Sequence, residues 1–584
     1  MLSLEGDDPV SLELRASARR LLGVAAFSGI VNLLMLSGSL YMLQVYDRVI
    51  PSRDVGTLLG LSAIVVLAYL LQGYFDSLRT RMLARIGSLF DLALQPHIHT
   101  ALVTLPLRGT KPILAQQPLR DLDQVRAFLS GAGPTAFLDM PWMPLFLIAL
   151  FIFHPVIGIV ATCGAAAISA MTFATERRSK SAAKVATEGN AQRQVLADAL
   201  RQNADVVRAL GMTGSLRAQW LSTNEQYILH NTRLADVQSR LGAAAKIVRY
   251  ILQSAVLGIG AYLVVIEQAS GGIMIASSIM MGRALAPIEI ALANWKQLVA
   301  AREGITRLRA IIKATAEREL PAVVLKRPRT ALTVENLSIV VPGTDKAVIS
   351  DVSFGLRAGT GLAVLGASAA GKSSLAKALV GIWPAAKGVV RLDGAALDQW
   401  HSDDLGTHIG YLPQDVALFD GTIAANIARF DAAASSEAIL EAARIAGAHE
   451  MILRLPDGYD TRIGERGASL SAGQRQRIGL ARAVFGRPFL VVLDEPNANL
   501  DAEGENALVG AIERLRREKS IVIVISHRPN ALAALDMGMV IYEGRLIAFG
   551  TREEIFTRVA KSTVRESAVR RQSGISKIAA GSTL

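Results

Sequence analysis

The sequence predicts a membrane-embedded α-helical domain with six spans, followed by an α/β domain built around a glycine-rich loop. Three observations support this fold class: six long apolar stretches lie before residue 300, short β-like runs alternate with helical runs after residue 330, and a glycine-rich loop joins one such run to a helix. At 584 residues, with 51% hydrophobic and 19% charged residues, the chain is too long for one ordinary domain and favours a membrane protein.

The six spans follow from the length of the apolar stretches. A helix needs about 20 apolar residues to cross the hydrocarbon core of a bilayer. The stretches that meet this length are 21–46, 55–75, 136–153, 156–175, 247–266 and 272–295. Because backbone polar groups in lipid must bond internally, and because these lengths fit no barrel pattern, we expect helices.

The connections between the spans indicate the orientation of the chain. Three connections are short and must share one side of the membrane: 47–54, 154–155 and 267–271. The other side receives the N-terminus, the two long connections and everything after residue 296, and near the membrane it carries Arg15, Arg19, Arg20, Arg79, Arg81, Arg85, Arg177, Arg178, Lys180, Lys184, Arg240 and Lys246. By the positive-inside rule this side is the cytoplasm, so the net charge of +12 reflects topology and no nucleic-acid partner is expected.

Changes in composition and in apolar periodicity along the sequence divide the chain into five parts. They are a cytoplasmic N-terminal segment 1–20, a transmembrane domain with long cytoplasmic helices 21–317, a linker 318–329, a nucleotide-binding domain 330–560 and a basic, mobile tail 561–584. The long cytoplasmic connections carry helical periodicity, so we expect helices that project beyond the bilayer, with breaks near Pro118 and at 211–214.

A phosphate-binding loop follows the strand-like run 362–365. The residues that match the P-loop pattern are Gly366, Ala367, Ser368, Ala369, Ala370, Gly371, Lys372 and Ser373, with Ser374 next in the chain. The glycines let backbone N–H groups curl around phosphates, Lys372 neutralises the β- and γ-phosphates, and the Ser373 hydroxyl reaches Mg²⁺. A P-loop NTPase domain that binds ATP and Mg²⁺ is therefore predicted.

Two carboxylates, Asp494 and Glu495, follow the apolar strand-like run 489–493. The carboxyl end of a strand is where open α/β sheets bind their ligands. Asp494 suits Mg²⁺, through a water molecule, and Glu495 suits the base that orients or deprotonates the attacking water.

The segment 470–474, Leu-Ser-Ala-Gly-Gln, opens a helical run and resembles the signature sequence of the ATP-binding-cassette (ABC) family. A P-loop alone fits many NTPases, whereas this pentapeptide marks one family. The resemblance implies nucleotide contacts for Ser471, Gly473 and Gln474, a Q-loop role at Mg²⁺ for Gln414, a D-loop role for Asp501 and a γ-phosphate contact for His527.

The same resemblance implies a homodimer. In ABC proteins the signature helix faces the P-loop of a second nucleotide-binding domain, and this sequence contains one such domain, so two copies related by twofold symmetry would form two ATP sites. One position departs from the family pattern. Val341 stands where an aromatic residue usually stacks on adenine, and it can offer apolar contact only.

Spans that precede the cassette and continue into long cytoplasmic helices resemble ABC exporters. The strings at 41–51, 119–123, 139–142 and 282–289 are similar to those of the type I secretion group that exports proteases and related polypeptides. Few residues precede the first span, so we expect no N-terminal peptidase-like domain. The resemblance implies export of an unfolded polypeptide with an uncleaved C-terminal signal across the bacterial inner membrane, with a periplasmic membrane-fusion adaptor and an outer-membrane channel as partners.

Two other functions share the same nucleotide site: export of a lipid or small molecule, and regulation by a membrane ATPase that moves no cargo. The presence of Glu495 and His527 argues against a mere regulator.

Charged residues lie inside the sixth span, where a charge costs about 2.5–3.5 kcal/mol on insertion scales. Arg283 and Glu289 should therefore face protein or water. They either line the translocation path or pair between helices, with Asp139 as a candidate partner.

Overall fold

The computed structural model describes residues 8–109, 117–316, 325–464, 467–526, 529–555 and residue 557. The chain forms two compact units, Met1–Pro106 with Lys111–Glu317 and Leu107–Thr110 with Arg318–Leu584. His527, most of the predicted linker and the predicted tail lie outside the described residues.

The described part of the first unit is helical, because its long apolar and amphipathic runs satisfy their backbone hydrogen bonds internally. Its helices are α1 (Pro9–Gln44), α2 (Val55–Leu107), α3 (Gln117–Ser130), α4 (Gly133–Asp139), α5 (Met143–Phe153), α6 (Pro155–Gln202), α7 (Ala204–Ala209), α8 (Thr213–Val265), α9 (Gly271–Ala293) and α10 (Trp295–Ala316). Helix α1 continues through a π-helical segment, Val45–Val49, to a final turn, Ile50–Ser52, and a 3-10 turn, Met140–Trp142, joins α4 to α5.

Six helical stretches of the described residues are long and apolar enough to cross a membrane. They are Pro9–Ser52, Val55–Leu107, Gly133–Phe153, Pro155–Ala174, Thr213–Val265 and Gly271–Ala293. Helix α2 alone has 53 residues, which at 1.5 Å per residue is about 80 Å and far exceeds the bilayer core. The predicted helical fold with six apolar helices is confirmed, and several of these helices are longer than the hydrocarbon layer is thick.

A buried polar cluster joins α1, α2 and α4. Asp139 is 6% exposed, accepts hydrogen bonds from Ser28 Oγ and Asn32 Nδ2 at 2.8 Å, and forms an ion pair with Arg79 Nη1 at 3.0 Å. Pairing lets both charges persist among apolar helices, where an isolated charge is costly. The suggestion that Asp139 pairs with Arg283 is wrong, because α4 directs Asp139 towards α1 and α2, where Arg79 neutralises it.

Replacing Arg79 by methionine should lower the thermal unfolding midpoint of the purified full chain markedly. Removal of one partner from a buried ion pair costs about 3–5 kcal/mol, because the other charge stays buried and unpaired. The double variant Arg79→Met/Asp139→Leu should recover most of this loss, and the exposed Arg217→Met should change little. A double variant that is as unstable as Arg79→Met would contradict this explanation.

The described residues of the second unit form two sheets. Its strands are β1 (Ala331–Val340), β2 (Ala347–Arg357), β3 (Gly361–Leu365), β4 (Lys387–Leu392), β5 (Ala395–Ala396), β6 (Ile409–Leu412), β7 (Leu490–Asp494), β8 (Ile521–Ile525), β9 (Met537–Tyr542) and β10 (Arg545–Thr551). Its helices are α11 (Lys372–Leu379), α12 (Ser402–His408), α13 (Ile423–Ile427), α14 (Ser436–Ile445), α15 (His449–Leu453), α16 (Ala472–Val484), α17 (Ala502–Arg517) and α18 (Pro529–Ala533), with 3-10 turns at Leu397–Gln399 and Gly458–Asp460.

The larger sheet positions the nucleotide site. Its strand order is β10-β9-β3-β8-β7-β6, and the smaller sheet has the order β2-β1-β4-β5. From β9 to β6 all neighbours in the larger sheet are parallel. Strands β7 and β8 are buried along their whole length, which is typical of central parallel strands covered on both faces. The carboxyl ends of β3, β8, β7 and β6 therefore lie along one edge.

Candidate functional site

The segments predicted to act on ATP begin at the carboxyl ends of four adjacent strands. The phosphate loop follows β3, Ser526 follows β8, Glu495 follows β7, and Gln414 lies two residues beyond β6. Because parallel strands end on the same edge of a sheet, residues from distant parts of the chain meet there, as ligand-binding residues do in open α/β sheets.

The phosphate loop has an exposed tip and a buried base. Ala367, Ser368 and Ala369 are exposed, Ala370 and Gly371 are buried, and Ser373 and Ser374 lie half-buried in the first turn of α11. The tip is thus open to an incoming nucleotide, while the base holds the loop to the sheet.

Two glycines give this loop its shape. A Cβ at Gly366 would lie 2.2 Å from the Ile541 carbonyl oxygen, and one at Gly371 would lie 2.7 Å from Ile349 Cδ1. Gly371 also has a φ of 98°, in the left-handed region that other residues avoid. A side chain at either position would push the loop off the sheet. The glycines therefore keep backbone N–H groups at the start of α11, where a helix N-terminus favours an anion.

Lys372 bends back over the loop that it ends. Its Nζ donates hydrogen bonds to the carbonyl oxygens of Gly366 at 2.7 Å and Ala367 at 2.9 Å. Burial lowers the pKa of Lys372, and the carboxylates of Glu495 and Asp494 oppose this shift. The ammonium group is therefore held beside the loop, close to two carboxylates, in a place where phosphate oxygens would add further negative charge.

Asp494 ends β7 as a buried carboxyl group, 2% exposed. Burial raises the pKa of Asp494, the Ser373 hydroxyl opposes this by donating a hydrogen bond, and the charge on Glu495 raises the pKa further. Among the described residues, the Asp494 Oδ1 atom has no hydrogen-bond partner. A buried acceptor without a partner is unusual and indicates a site that binds a cation or water.

Glu495 lies beside Gln414 in an uncommon backbone conformation. Its φ is 49°, in the left-handed region that non-glycine residues seldom adopt. Gln414 Nε2 donates a hydrogen bond to Glu495 Oε2 at 3.0 Å, and the Glu495 N–H bonds the Ile525 carbonyl at 2.8 Å. Burial, together with the nearby Asp494 carboxylate, raises the pKa of Tyr411 to about 12, so this phenol stays protonated beside the carboxylates.

A second group of predicted residues gathers at the N-termini of α16 and α17. Ser471 caps α16, because its Oγ accepts from the Gln474 N–H at 3.2 Å while its own N–H donates to Gln474 Oε1 at 2.8 Å. Asp501 caps α17 by accepting from the Gly504 N–H at 2.9 Å, and it also accepts from Arg477 Nη2 at 2.6 Å. These two contacts hold the pKa of Asp501 below its usual value. Within the described residues, no hydrogen bond joins this group to the phosphate loop.

Residues that motif reasoning did not single out bind these groups together. Buried Gln476 of α16 donates from Nε2 to the Pro496 carbonyl at 3.0 Å, next to Glu495. Ser526 Oγ donates to Asn497 Oδ1 at 3.1 Å. A Cβ at Gly473 would lie 2.9 Å from the Asn499 carbonyl oxygen, so α16 closely approaches this segment. The only signal in the sequence is a polar side chain, Gln476, in a helix that otherwise buries apolar residues.

Val341 lies in the hairpin between β1 and β2. Its N–H donates to the Lys346 carbonyl at 3.1 Å, and its own carbonyl accepts from the Thr344 N–H at 3.0 Å. Its backbone is thus held by the turn, and its half-buried side chain is free to make only apolar contact.

Known proteins share both units. The ABC transporter transmembrane region matches residues 21–285, and the ABC transporter domain matches residues 349–498. A solved structure, described as a bacterial Atm1-family ABC exporter with ATP bound, covers 94% of this chain and 99% of its own chain with a TM-score of 0.79 and 21% sequence identity. At this identity the likeness shows a shared fold.

Similar sequences define the group more closely. The type I secretion system ATP-binding protein PrsD of Rhizobium meliloti is 49% identical over 574 residues, or 98% of each chain. The alpha-hemolysin translocation ATP-binding protein HlyB of Escherichia coli O157:H7 is 25% identical over 92% of this chain and 77% of its own. These similarities confirm the predicted family and its transport-coupled ATPase, and the chain belongs to the ABC transporters, in the group of type I secretion ATP-binding proteins.

Proposed function

We propose that this chain couples ATP hydrolysis to the export of an unfolded polypeptide, as the ABC component of a type I secretion system. One observation carries the proposal: the phosphate loop, Asp494 and the Glu495–Gln414 pair meet at one sheet edge of a chain whose described residues include six helices long and apolar enough to cross a membrane. Similarity along nearly the whole of PrsD favours a polypeptide cargo over a lipid or small molecule.

Different residues of the chain would bind the phosphates and activate the water that hydrolyses ATP. Lys372 and the N–H groups at the start of α11 would hold the β- and γ-phosphates. Glu495 would orient the attacking water and take its proton, with Gln414 fixing the carboxylate through the 3.0 Å hydrogen bond. By family resemblance His527 would contact the γ-phosphate.

A divalent cation fits this site, because a buried carboxylate oxygen of Asp494 lacks a partner among the described residues and the Ser373 hydroxyl is adjacent. Mg²⁺ would be held by Ser373, by Gln414 and, through water, by Asp494. In proteins this ion usually has one or two carboxylate ligands, and phosphate oxygens of the substrate complete its coordination. When bound, Mg²⁺ would offset the charge of the transferred phosphoryl group.

We further propose a homodimer with two ATP sites. Ser471 is exposed at the N-terminus of a 13-residue helix, α16, which favours an anion, and in this group it would face the partner's phosphate loop. Ser471, Gly473, Gln474 and Asp501 of one copy would then complete the site built on Lys372 of the other. Val341 would contact adenine without stacking.

The remaining partners and the location follow from the type I group. The multi-pass chain would lie in the bacterial inner membrane with its N-terminus and nucleotide-binding domain in the cytoplasm. A periplasmic membrane-fusion adaptor and an outer-membrane channel would complete the route, and the cargo would be a protease-like or RTX-type polypeptide with a C-terminal signal.

The secreted proteins of the bacterial host provide the test. Deleting this chain should remove a defined set of polypeptides from the medium and leave them inside the cell. The wild-type chain should restore secretion, whereas Lys372→Ala should not, because the phosphates lose their neutralising cation. Mass spectrometry of medium and cells measures both. An unchanged set of secreted proteins, with an altered lipid composition of the outer membrane, would instead support a lipid exporter.

A further inference from the structure

Four charged residues lie inside the six apolar stretches: Asp139, Arg249, Arg283 and Glu289. Three of them have partners of opposite charge. Asp139 pairs with Arg79 at 3.0 Å, and Arg249 Nη1 pairs with Glu289 Oε2 at 2.5 Å. Among the described residues, Arg283 makes no hydrogen bond or ion pair. Its positive charge is therefore not offset within the described part of the subunit.

Arg283 lies near the middle of the membrane. It is twelve residues beyond the start of α9 at Gly271, which at 1.5 Å per residue places it about 18 Å along a helix that crosses a core of about 30 Å. A charge at this depth is unfavourable unless it faces water or a counter-charge. The exposed Arg283 side chain thus needs an aqueous or anionic neighbour.

A cavity of about 250 Å³ supplies that neighbourhood. It is lined by Met35, Tyr41 and Met42 of α1, Tyr69 of α2, and Ile279 and Arg283 of α9. Because one water occupies about 30 Å³ of liquid, the cavity has room for several waters or for a side chain and its hydration. Among the described residues that line the cavity, Arg283 is the only charged one.

The walls of the cavity are shaped by close packing. A Cβ at Gly38 would lie 2.5 Å from the Tyr69 hydroxyl oxygen, so this glycine admits the phenol against α1. The Tyr41 hydroxyl is held by Ser62 Oγ at 2.9 Å. Two aromatic rings and flexible methionine side chains surround one cation, a lining that tolerates varied apolar groups while selecting for negative charge.

We propose that this cavity binds carboxylate side chains of the exported polypeptide, with Arg283 as the group that recognises them. This inference rests on the proposed export function. Guanidinium pairs with carboxylate through two parallel hydrogen bonds, and it does so most strongly where water is scarce. Lipid phosphates lie at the membrane surfaces, whereas Arg283 lies at mid-depth, so the anion that reaches it arrives on a chain that crosses the membrane.

Peptide binding to the full chain in phosphatidylcholine nanodiscs tests the proposal. The probes are a short fluorescent peptide with Asp at regular positions among Gly and Ser, and a twin with Asn in place of Asp. The wild-type chain should bind the Asp peptide about tenfold more tightly than its twin, as expected for one charge-assisted hydrogen-bonded pair. Arg283→Gln should abolish this preference, Arg283→Lys should keep the part that depends on charge alone, and the exposed Arg217→Gln should leave it unchanged.

Two further measurements distinguish a lipid anion from a peptide anion, and distinguish failure of the export function from failure of the Arg283 proposal. Lipid in the cavity is detected in two ways: by adding phosphatidylglycerol to the nanodiscs, and by placing a photo-crosslinker at Ile279 beside Arg283. If this lipid displaces the Asp peptide, or if the crosslinker captures lipid, the proposal is overturned. Equal binding of both peptides, or binding of neither, would also overturn it. Unchanged thermal unfolding of Arg283→Gln and Arg283→Lys shows that both fold. If deletion of the chain stops secretion while Arg283→Gln does not alter peptide preference, export stands and this inference fails.

Discussion

ATP hydrolysis by the purified full chain in lipid should fall by about 10²–10⁴-fold when Glu495 is replaced by glutamine, which is the range that a general base contributes. Glutamine retains the size of the side chain and can still meet Gln414, whose Nε2 lies 3.0 Å from Glu495 Oε2. It cannot accept a proton from water. Nucleotide should therefore bind and remain, and the dimer should accumulate with ATP trapped between its domains.

Two measurements check this result: phosphate release, and the nucleotide retained after gel filtration. The matched control is Glu513→Gln, the same substitution at an exposed position of α17 whose partner is Arg517 one helical turn away. This control should hydrolyse ATP normally. Normal hydrolysis by Glu495→Gln would remove Glu495 from the proposed role and leave Asp494 to be tested next.

A mixed dimer should hydrolyse ATP when neither parent homodimer does. One subunit carries Lys372→Ala and the other Ser471→Arg, and two affinity tags allow the mixed species to be isolated. If each site combines Lys372 of one subunit with Ser471 of the other, one site carries both defects and the other carries neither. We therefore expect up to about half of the wild-type activity from the intact site.

Ser435→Arg is the matched control for the signature serine. Ser435 also caps a helix in the same unit, because its Oγ accepts from the Ala438 N–H at 3.2 Å. Loss of either cap costs about 1 kcal/mol of stability. A loss of ATPase activity in Ser471→Arg that exceeds the loss in Ser435→Arg is therefore attributed to the nucleotide contact. A mixed dimer as inactive as its parents would indicate that each subunit builds its site alone, against the proposed ATP sites shared between two subunits.

Most of the predicted fold and phosphate site followed from patterns within short segments of the sequence. The spans are determined by the number of consecutive apolar residues, which depends on no distant contact. The phosphate loop is likewise contiguous, and the structure places Gly366 and Lys372 at the end of β3 and the start of α11, where the pattern requires strand, turn and helix. Asp494 and Glu495 are recognisable because they stand at the carboxyl end of a buried strand.

Family resemblance extended the predicted nucleotide site to Gln414, Ser471 and Asp501, which lie far apart in the sequence. The structure places Gln414 against Glu495 and links Asp501 to the signature helix through Arg477. Their assignment to nucleotide remains a prediction, which the mixed dimer tests for Ser471.

The sequence by itself thus determined the six apolar stretches, the α/β domain and the position of the phosphate loop between strand and helix, because each depends on composition or spacing within a short segment. Only the tertiary structure decided that Asp139 meets Arg79, 60 residues away, and that Arg249 meets Glu289 while Arg283 faces a cavity. Which charges pair depends on how each helix is rotated about its axis and which neighbour it packs against. Those are properties of the whole helical bundle, and a single apolar stretch with one charge in it is compatible with every rotation.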